Sequence, residues 1–288
     1  MLPVRNNLTF VYQLSGVLAG LLFVASLIGL GFGPSGLYDA YPAALAGLIG
    51  QDIVTLGGGL PLLLGAMWLT RRGSAAGLQL WAGILFYFAY SYSFFLVGGF
   101  NALFLVYVGI VSTSLYALLA LLFRIDADAL TAEFADRAPV RRTATFFIVT
   151  ASLFVVMWGG LSVASILAAS TPDPVVHLVV AIDGAVLLPL LLYGGLKLWR
   201  REPWGYVLGG MLLTKATATG FTLAFTSTLA MWWTGSVDPF QVFLAVLFGL
   251  MAVVGLALLV PYLRSTTTHR SAAAQEAPTQ GTETLVPN

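Results

Sequence analysis

Eight runs of about twenty apolar residues dominate this chain, and a helix of that length is what crosses the ~30 Å hydrocarbon core of a bilayer. They fall at 10–32, 48–69, 78–97, 102–123, 145–167, 175–198, 206–231 and 240–262. Lipid offers no partner to a bare N–H or C=O, so such segments satisfy their backbones internally as helices. Only 9% of the 288 residues are charged and 59% are hydrophobic, which leaves no stretch large enough for a separate soluble catalytic domain. The sequence predicts an all-α, polytopic membrane protein with eight transmembrane helices. The second run has the least certain start: Pro42 to Gly50 reads either as its outer extension or as a separate interfacial segment.

Basic residues orient the bundle. Arg5, Arg71, Arg72, Arg124, Arg137, Arg141, Arg142, Lys197, Arg200, Arg201, Arg264 and Arg270 lie at the N-terminus, in alternate connections or near the C-terminus. The other connections, around 33–51, 98–101, 169–174 and 232–239, hold no Lys or Arg. Lys and Arg are retained on the cytoplasmic side, so both termini are expected to be cytoplasmic, in a multi-pass protein of the cell (inner) membrane. The first run carries no adjacent A-x-A-like cleavage site and is expected to remain as a spanning helix. The stretch from Ser265 has low hydrophobicity and no periodicity, and is expected to be a disordered cytoplasmic tail over 265–288. Linker 124–143 contains DADALTAEFADR, which reads as a solvated charged connector, or as a short helix on the inner surface.

The chain also resembles itself. GGGLPLLLGAMWLTRR ends at Arg72 and AVLLPLLLYGGLKLWRR ends at Arg201, with Pro61 and Pro189 each opening a leucine run. The spacing is about half the chain, which predicts a parallel duplication of a four-helix unit, 1–123 and 144–264, related by an axis along the membrane normal. Chance likeness between leucine-rich helices is the competing explanation.

Lys215 lies within YVLGGMLLTKATATGFTLAF, where an ammonium costs several kcal/mol unless it finds water, an anion or carbonyls. Asp183, on the preceding run, falls at nearly the same depth, which makes the two a candidate intramembrane pair if the helices are suitably rotated. Lys215, Thr219, Thr222 and Thr226 are spaced by four, three and four, a single helical stripe that either lines a wet path or bonds locally for packing. Asp52 and Asp183 occupy roughly corresponding places in the two halves, although Asp52 counts out close to the outer interface, where a carboxylate costs little. Tyr87, Tyr90 and Tyr92 in FYFAYSYSFF occupy the third run where the seventh has Lys215 and its threonines. The structural alternative for Lys215 is a side chain that snorkels inward to the headgroups.

Other features are blander. His177 reads as an interfacial residue with a proton relay as the sharper option. Trp199, Trp204, Trp232 and Trp233 read as interfacial anchors. Glycines along the spans serve close helix packing, while Pro61 and Pro189 free backbone groups inside two helices. Cysteine is absent and histidine occurs twice, which removes thiolate sites and disulfides and disfavours bis-imidazole haem. No metal motif, serine elbow or positioned nucleophile and base is present, so no catalytic residue or metal ligand is assigned and no cofactor is identified.

Three classes of function remain. The first is a small-solute or ion transporter or channel using Lys215, Asp183, Asp52, Thr219, Thr222, Tyr87 and Tyr90. The second is an accessory subunit or lipid-acting enzyme in a larger membrane complex, with basic loops for anionic headgroups. The third is a pigment protein with a retinal Schiff base on Lys215, which resembles microbial rhodopsins only in a lysine on the seventh helix with an acid nearby, and departs from their seven-helix pattern. Expected partners are membrane lipids, a small solute or ion, and partner membrane subunits or further copies of the chain; nucleic acid is not among them.

Overall fold

In a computed structural model of the chain, residues 2–38, 42–97, 100–134, 138–171 and 174–275 are described. Arg137, Asp173 and the tail 276–288 lie outside them. Among the described residues eight helical spans are long and apolar enough to cross a bilayer, and no strand is formed. The first span is α1 (Thr9–Phe32), closed by a turn in which Gly36 has φ 113°, a left-handed conformation that favours glycine. The second joins α2 (Pro42–Val54) to α3 (Leu60–Arg71) through a π turn at Thr55–Gly59. The segment from Pro42 is thus an outer extension of this span. Next come α4 (Ala75–Val97) and α5 (Phe104–Leu122), then the short α6 (Ala127–Ala132). The fifth span is α7 (Val140–Leu167), and the sixth joins α8 (Pro174–Ile182) to α9 (Leu188–Trp199) through a π turn at Asp183–Leu187. Helices α10 (Pro203–Thr234) and α11 (Pro239–Gln275) complete the bundle. Helix α11 runs on past Ser265.

Both π turns have the same cause. Each ends two residues before a proline, Pro61 or Pro189. A proline ring clashes with the carbonyl four residues back and brings no N–H of its own, so the preceding turn widens. Leu60 N–H accordingly reaches Thr55 O, and Leu188 N–H reaches Asp183 O, one residue further than in an α-helix.

Helices α4 and α10 are the most buried spans and run side by side through the centre. Gly83 lets them close: a Cβ there would collide with Thr214 and the Met211 carbonyl. Around them, α3 and α5 pack on α4, α2, α9 and α11 pack on α10, and α1 closes on α5. Helix α7, by contrast, leans on α9 and barely meets α11. The outward faces of α7 and α11 carry exposed Val156, Ile166, Leu250 and Val253, side chains suited to lipid.

The linker packs more closely than a solvated connector. Asp126 caps α6 by accepting from Ala129 N–H at 3.1 Å, Leu130 is buried beneath it, and the Phe134 ring lies 5.0 Å from both Tyr206 and Tyr262. The N-terminal segment pairs with it through Arg5 N–H to Arg124 O at 2.8 Å and Asp126 N–H to Pro3 O at 2.9 Å. Arg5, Arg124 and this linker therefore share one end of the bundle. At the starts and ends of neighbouring helices Arg72 stacks on Trp68, Arg71 on Tyr12 and Arg141 over Trp199.

Candidate functional site

Lys215 is 3% exposed and Asp183 2%, so both charges sit inside the protein rather than against lipid. Among the described residues their side chains form no direct ion pair. Tyr90 stands between them. Its hydroxyl donates to Asp183 Oδ1 at 2.8 Å, and the Lys215 ammonium lies 3.7 Å from the centre of its ring. The second carboxyl oxygen, Oδ2, accepts from Trp158 Nε1–H at 2.9 Å. The expected Lys–Asp pair is thus replaced by a relay of acid, phenol and amine, because the ring fills the space a direct contact would need.

Depth is resolved by the packing of α4 on α10. Gly83 faces Thr214, so Lys215 leaves α10 at the level of the residues beside Gly83. Its ammonium then reaches forward along α4, past Phe86 at 6.0 Å, to Tyr90. This direction is away from the end that holds the basic connections. Snorkelling toward those headgroups is therefore not what places this side chain.

The π turn sets Asp183. It is the first residue of the widened turn, on a helix whose next segment, α9, is held against α7 and α10. Trp158 comes from α7 and Tyr90 from α4, so three separate spans converge on one carboxyl group. An open groove of about 380 Å³ lies beside it between α7 and α8, lined by Leu161, Ser162, Ser165, His177 and Val180 among others. Ser162 on its wall donates to the Trp158 carbonyl at 2.8 Å, and Val180 on the facing wall precedes Asp183 by one turn.

A second network runs from the same central helices into the first half. Gln51 Nε2–H donates to Tyr87 OH at 2.9 Å and to Thr55 Oγ1 at 3.2 Å. Tyr87 and Thr222 hydroxyls are 2.8 Å apart, and Thr222 donates onward to the Ala218 carbonyl at 2.9 Å. The threonine stripe is mixed in character: Thr222 links two spans, Thr226 turns back to the Leu223 carbonyl at 3.2 Å, and the buried Thr219 hydroxyl has no partner among the described residues. Thr219 stands between Lys215 and Thr222, a gap of one turn between the two networks.

Asp52 departs from its expected place. It is 1% exposed, because Tyr38 folds over it from the turn region after α1 while Gly29 of α1 lets the backbone approach. Counting residues outward from Arg71 missed this, since burial is supplied by other spans and not by depth. Tyr38 donates to Asp52 Oδ2 at 2.7 Å, and Tyr107 donates to Tyr38 at 3.5 Å. Tyr92 donates to Thr55 Oγ1 at 3.3 Å and lies 3.1 Å from Ser26 Oγ. Among the described residues Asp52 Oδ1 makes no hydrogen bond of ordinary length, although the Ser26 hydroxyl stands near the carboxyl.

Trp158, Tyr38, Tyr107, Ser26, Gln51 and Thr55 carry no signal in the sequence alone that ties them to these acids. His177 is exposed on the groove rim. No cluster of three or more His, Cys, Asp or Glu suited to a metal occurs among the described residues. Comparison with protein-family models, curated proteins and solved structures gives no match.

Proposed function

We propose that this polytopic membrane protein moves a small solute or ion, with Lys215 and Asp183 as the central groups and Tyr90 as the link between them. The observation that carries this reading is the buried Lys215 ammonium, which lies over the Tyr90 and Phe86 rings, makes no direct ion pair among the described residues and extends away from the basic end. A structural lysine would be expected to reach headgroups or pair directly with an acid, since a buried charge without such compensation costs several kcal/mol. Thr219, Thr222, Tyr87 and Asp52 extend the polar lining into the first half, and the unpartnered Thr219 hydroxyl is where a passing water, ion or solute would bridge the two networks. The groove between α7 and α8 is the access route on the other side of Asp183.

The reading includes a duplicated four-helix unit, supported by the two π turns set at matching distances before Pro61 and Pro189. It also includes both termini on the cytoplasmic side of the inner membrane, supported by the basic residues gathered at one end. Proteoliposomes on a solid-supported membrane, challenged in turn with inorganic cations, amino acids, sugars and organic anions, test it by the current or dye response each evokes. A response abolished by Lys215→Met and Asp183→Asn is expected. No response to any solute, or one that both variants retain, overturns it.

A further inference from the structure

We infer that Asp52 and the hydroxyls around it form a binding site for a monovalent cation the size of sodium. The site is assembled from four parts of the chain: Ser26 on α1, Tyr38 after it, Asp52 near the end of α2 with Thr55 opening the π turn, and Tyr92 on α4. All five side chains are buried. One carboxyl oxygen, Oδ2, is already held by Tyr38 at 2.7 Å. The other, Oδ1, is buried and makes no hydrogen bond of ordinary length among the described residues, with the Ser26 hydroxyl as its neighbour, and a buried carboxyl oxygen left so is costly enough to call for a ligand.

The chemistry of the surroundings selects that ligand. The side chains that close on the carboxyl, those of Ser26, Tyr38, Thr55 and Tyr92, all offer hydroxyls, which are hard oxygen donors, and the Gln51 amide stands behind Thr55. Ser26 Oγ and Tyr92 OH stand 3.1 Å apart, and Tyr92 OH and Thr55 Oγ1 3.3 Å. Oxygens about 2.4 Å from a calcium-sized ion stand about that far from one another. A single carboxylate balances a single positive charge, whereas a divalent ion would leave one charge uncompensated in a span enclosed by other helices. Sodium combines that size with that charge. Gly29 makes room for the other side of the carboxyl, since a Cβ there would strike Oδ2 and the Tyr38 hydroxyl bonded to it. Gln51 and Thr55 join this site to Tyr87 and Thr222, so an ion here touches the network that leads toward Lys215.

The inference deepens the reading of Asp52 as an ion-binding residue, yet its test needs no transport. The full chain, purified in detergent, is melted in sodium chloride and in choline chloride at equal ionic strength. Sodium is expected to raise Tm in proportion to the logarithm of its concentration once above Kd, by about 5 °C at a hundred-fold excess over Kd. Asp52→Asn should abolish the shift, Ser26→Ala and Thr55→Ala should each weaken sodium affinity at least about tenfold, and Asp183→Asn should leave it intact. Equal melting in the two salts overturns the site, as does a shift that tracks pH alone and marks a plain protonated carboxyl. A sodium shift that persists in Asp52→Asn does the same; if that variant does not fold, unchanged affinity in both Ser26→Ala and Thr55→Ala overturns it. Loss of the sodium effect would leave the Lys215 pathway standing, and uptake indifferent to Lys215→Met would leave the sodium site standing.

Discussion

Removing one oxygen from Tyr90 separates the two jobs its side chain performs. Tyr90→Phe keeps the ring beneath the Lys215 ammonium, at 3.7 Å from its centre, and deletes the donor that reaches Asp183 Oδ1 at 2.8 Å. A hydrogen bond to a charged group contributes about 1.5–3 kcal/mol, and here its loss also strands a carboxyl oxygen that is 2% exposed with its residue. The Trp158 bond to Oδ2 survives, so Asp183 stays anchored at one oxygen and the fold should persist. Tyr90→Leu removes the ring as well, adding about 2 kcal/mol of desolvated cation–π contact plus a cavity. Denaturation from detergent micelles, followed by tryptophan fluorescence, should rank wild type above Tyr90→Phe and Tyr90→Phe above Tyr90→Leu. Solute-evoked current should fall in Tyr90→Phe even where the protein remains folded. If Tyr90→Phe matched wild type in both stability and current, the phenol would not couple the amine to the acid.

Further outcomes follow from packing. Gly83→Ala should destabilise by about 1–3 kcal/mol, because its Cβ meets Thr214 and the Met211 carbonyl, whereas Gly65→Ala, with nothing within 4 Å, should be neutral or slightly stabilising; paired melts check both. Pro189→Ala should let the Asp183–Leu187 turn tighten to an α-helix and carry Asp183 off Trp158, which a change in Trp158 fluorescence relative to a Trp158→Phe background would report. Phe134→Ala should cost about 3 kcal/mol by emptying the contact of the linker with Tyr206 and Tyr262, and proteolysis near residue 134 should quicken.

The eight spans were legible because a bilayer demands long apolar runs, and their ends shift by only a few residues where a helix runs on past its apolar stretch, as α2 does from Pro42. The prolines announced irregular helices, although the widened turns themselves needed the neighbouring geometry. Lys215 and Asp183 stood out as charges in apolar runs. What joins them did not, since Tyr90 and Trp158 lie on spans distant in sequence and helix rotation decides which ring faces inward. The burial of Asp52 was hidden for the same reason: its depth along one helix says nothing of Tyr38 and Gly29 closing over it. The linker looked solvated because its charges mask Leu130 and Phe134, the two side chains that dock it.

Lys215→Met tests the central claim most directly when stability and transport are measured on the same preparation. Methionine fills nearly the same volume without a charge to desolvate, so an ammonium kept for function predicts a variant at least as stable as wild type that no longer moves solute. A variant that is several kcal/mol less stable yet transports at the wild-type rate would show the amine to be structural and contradict the mechanism.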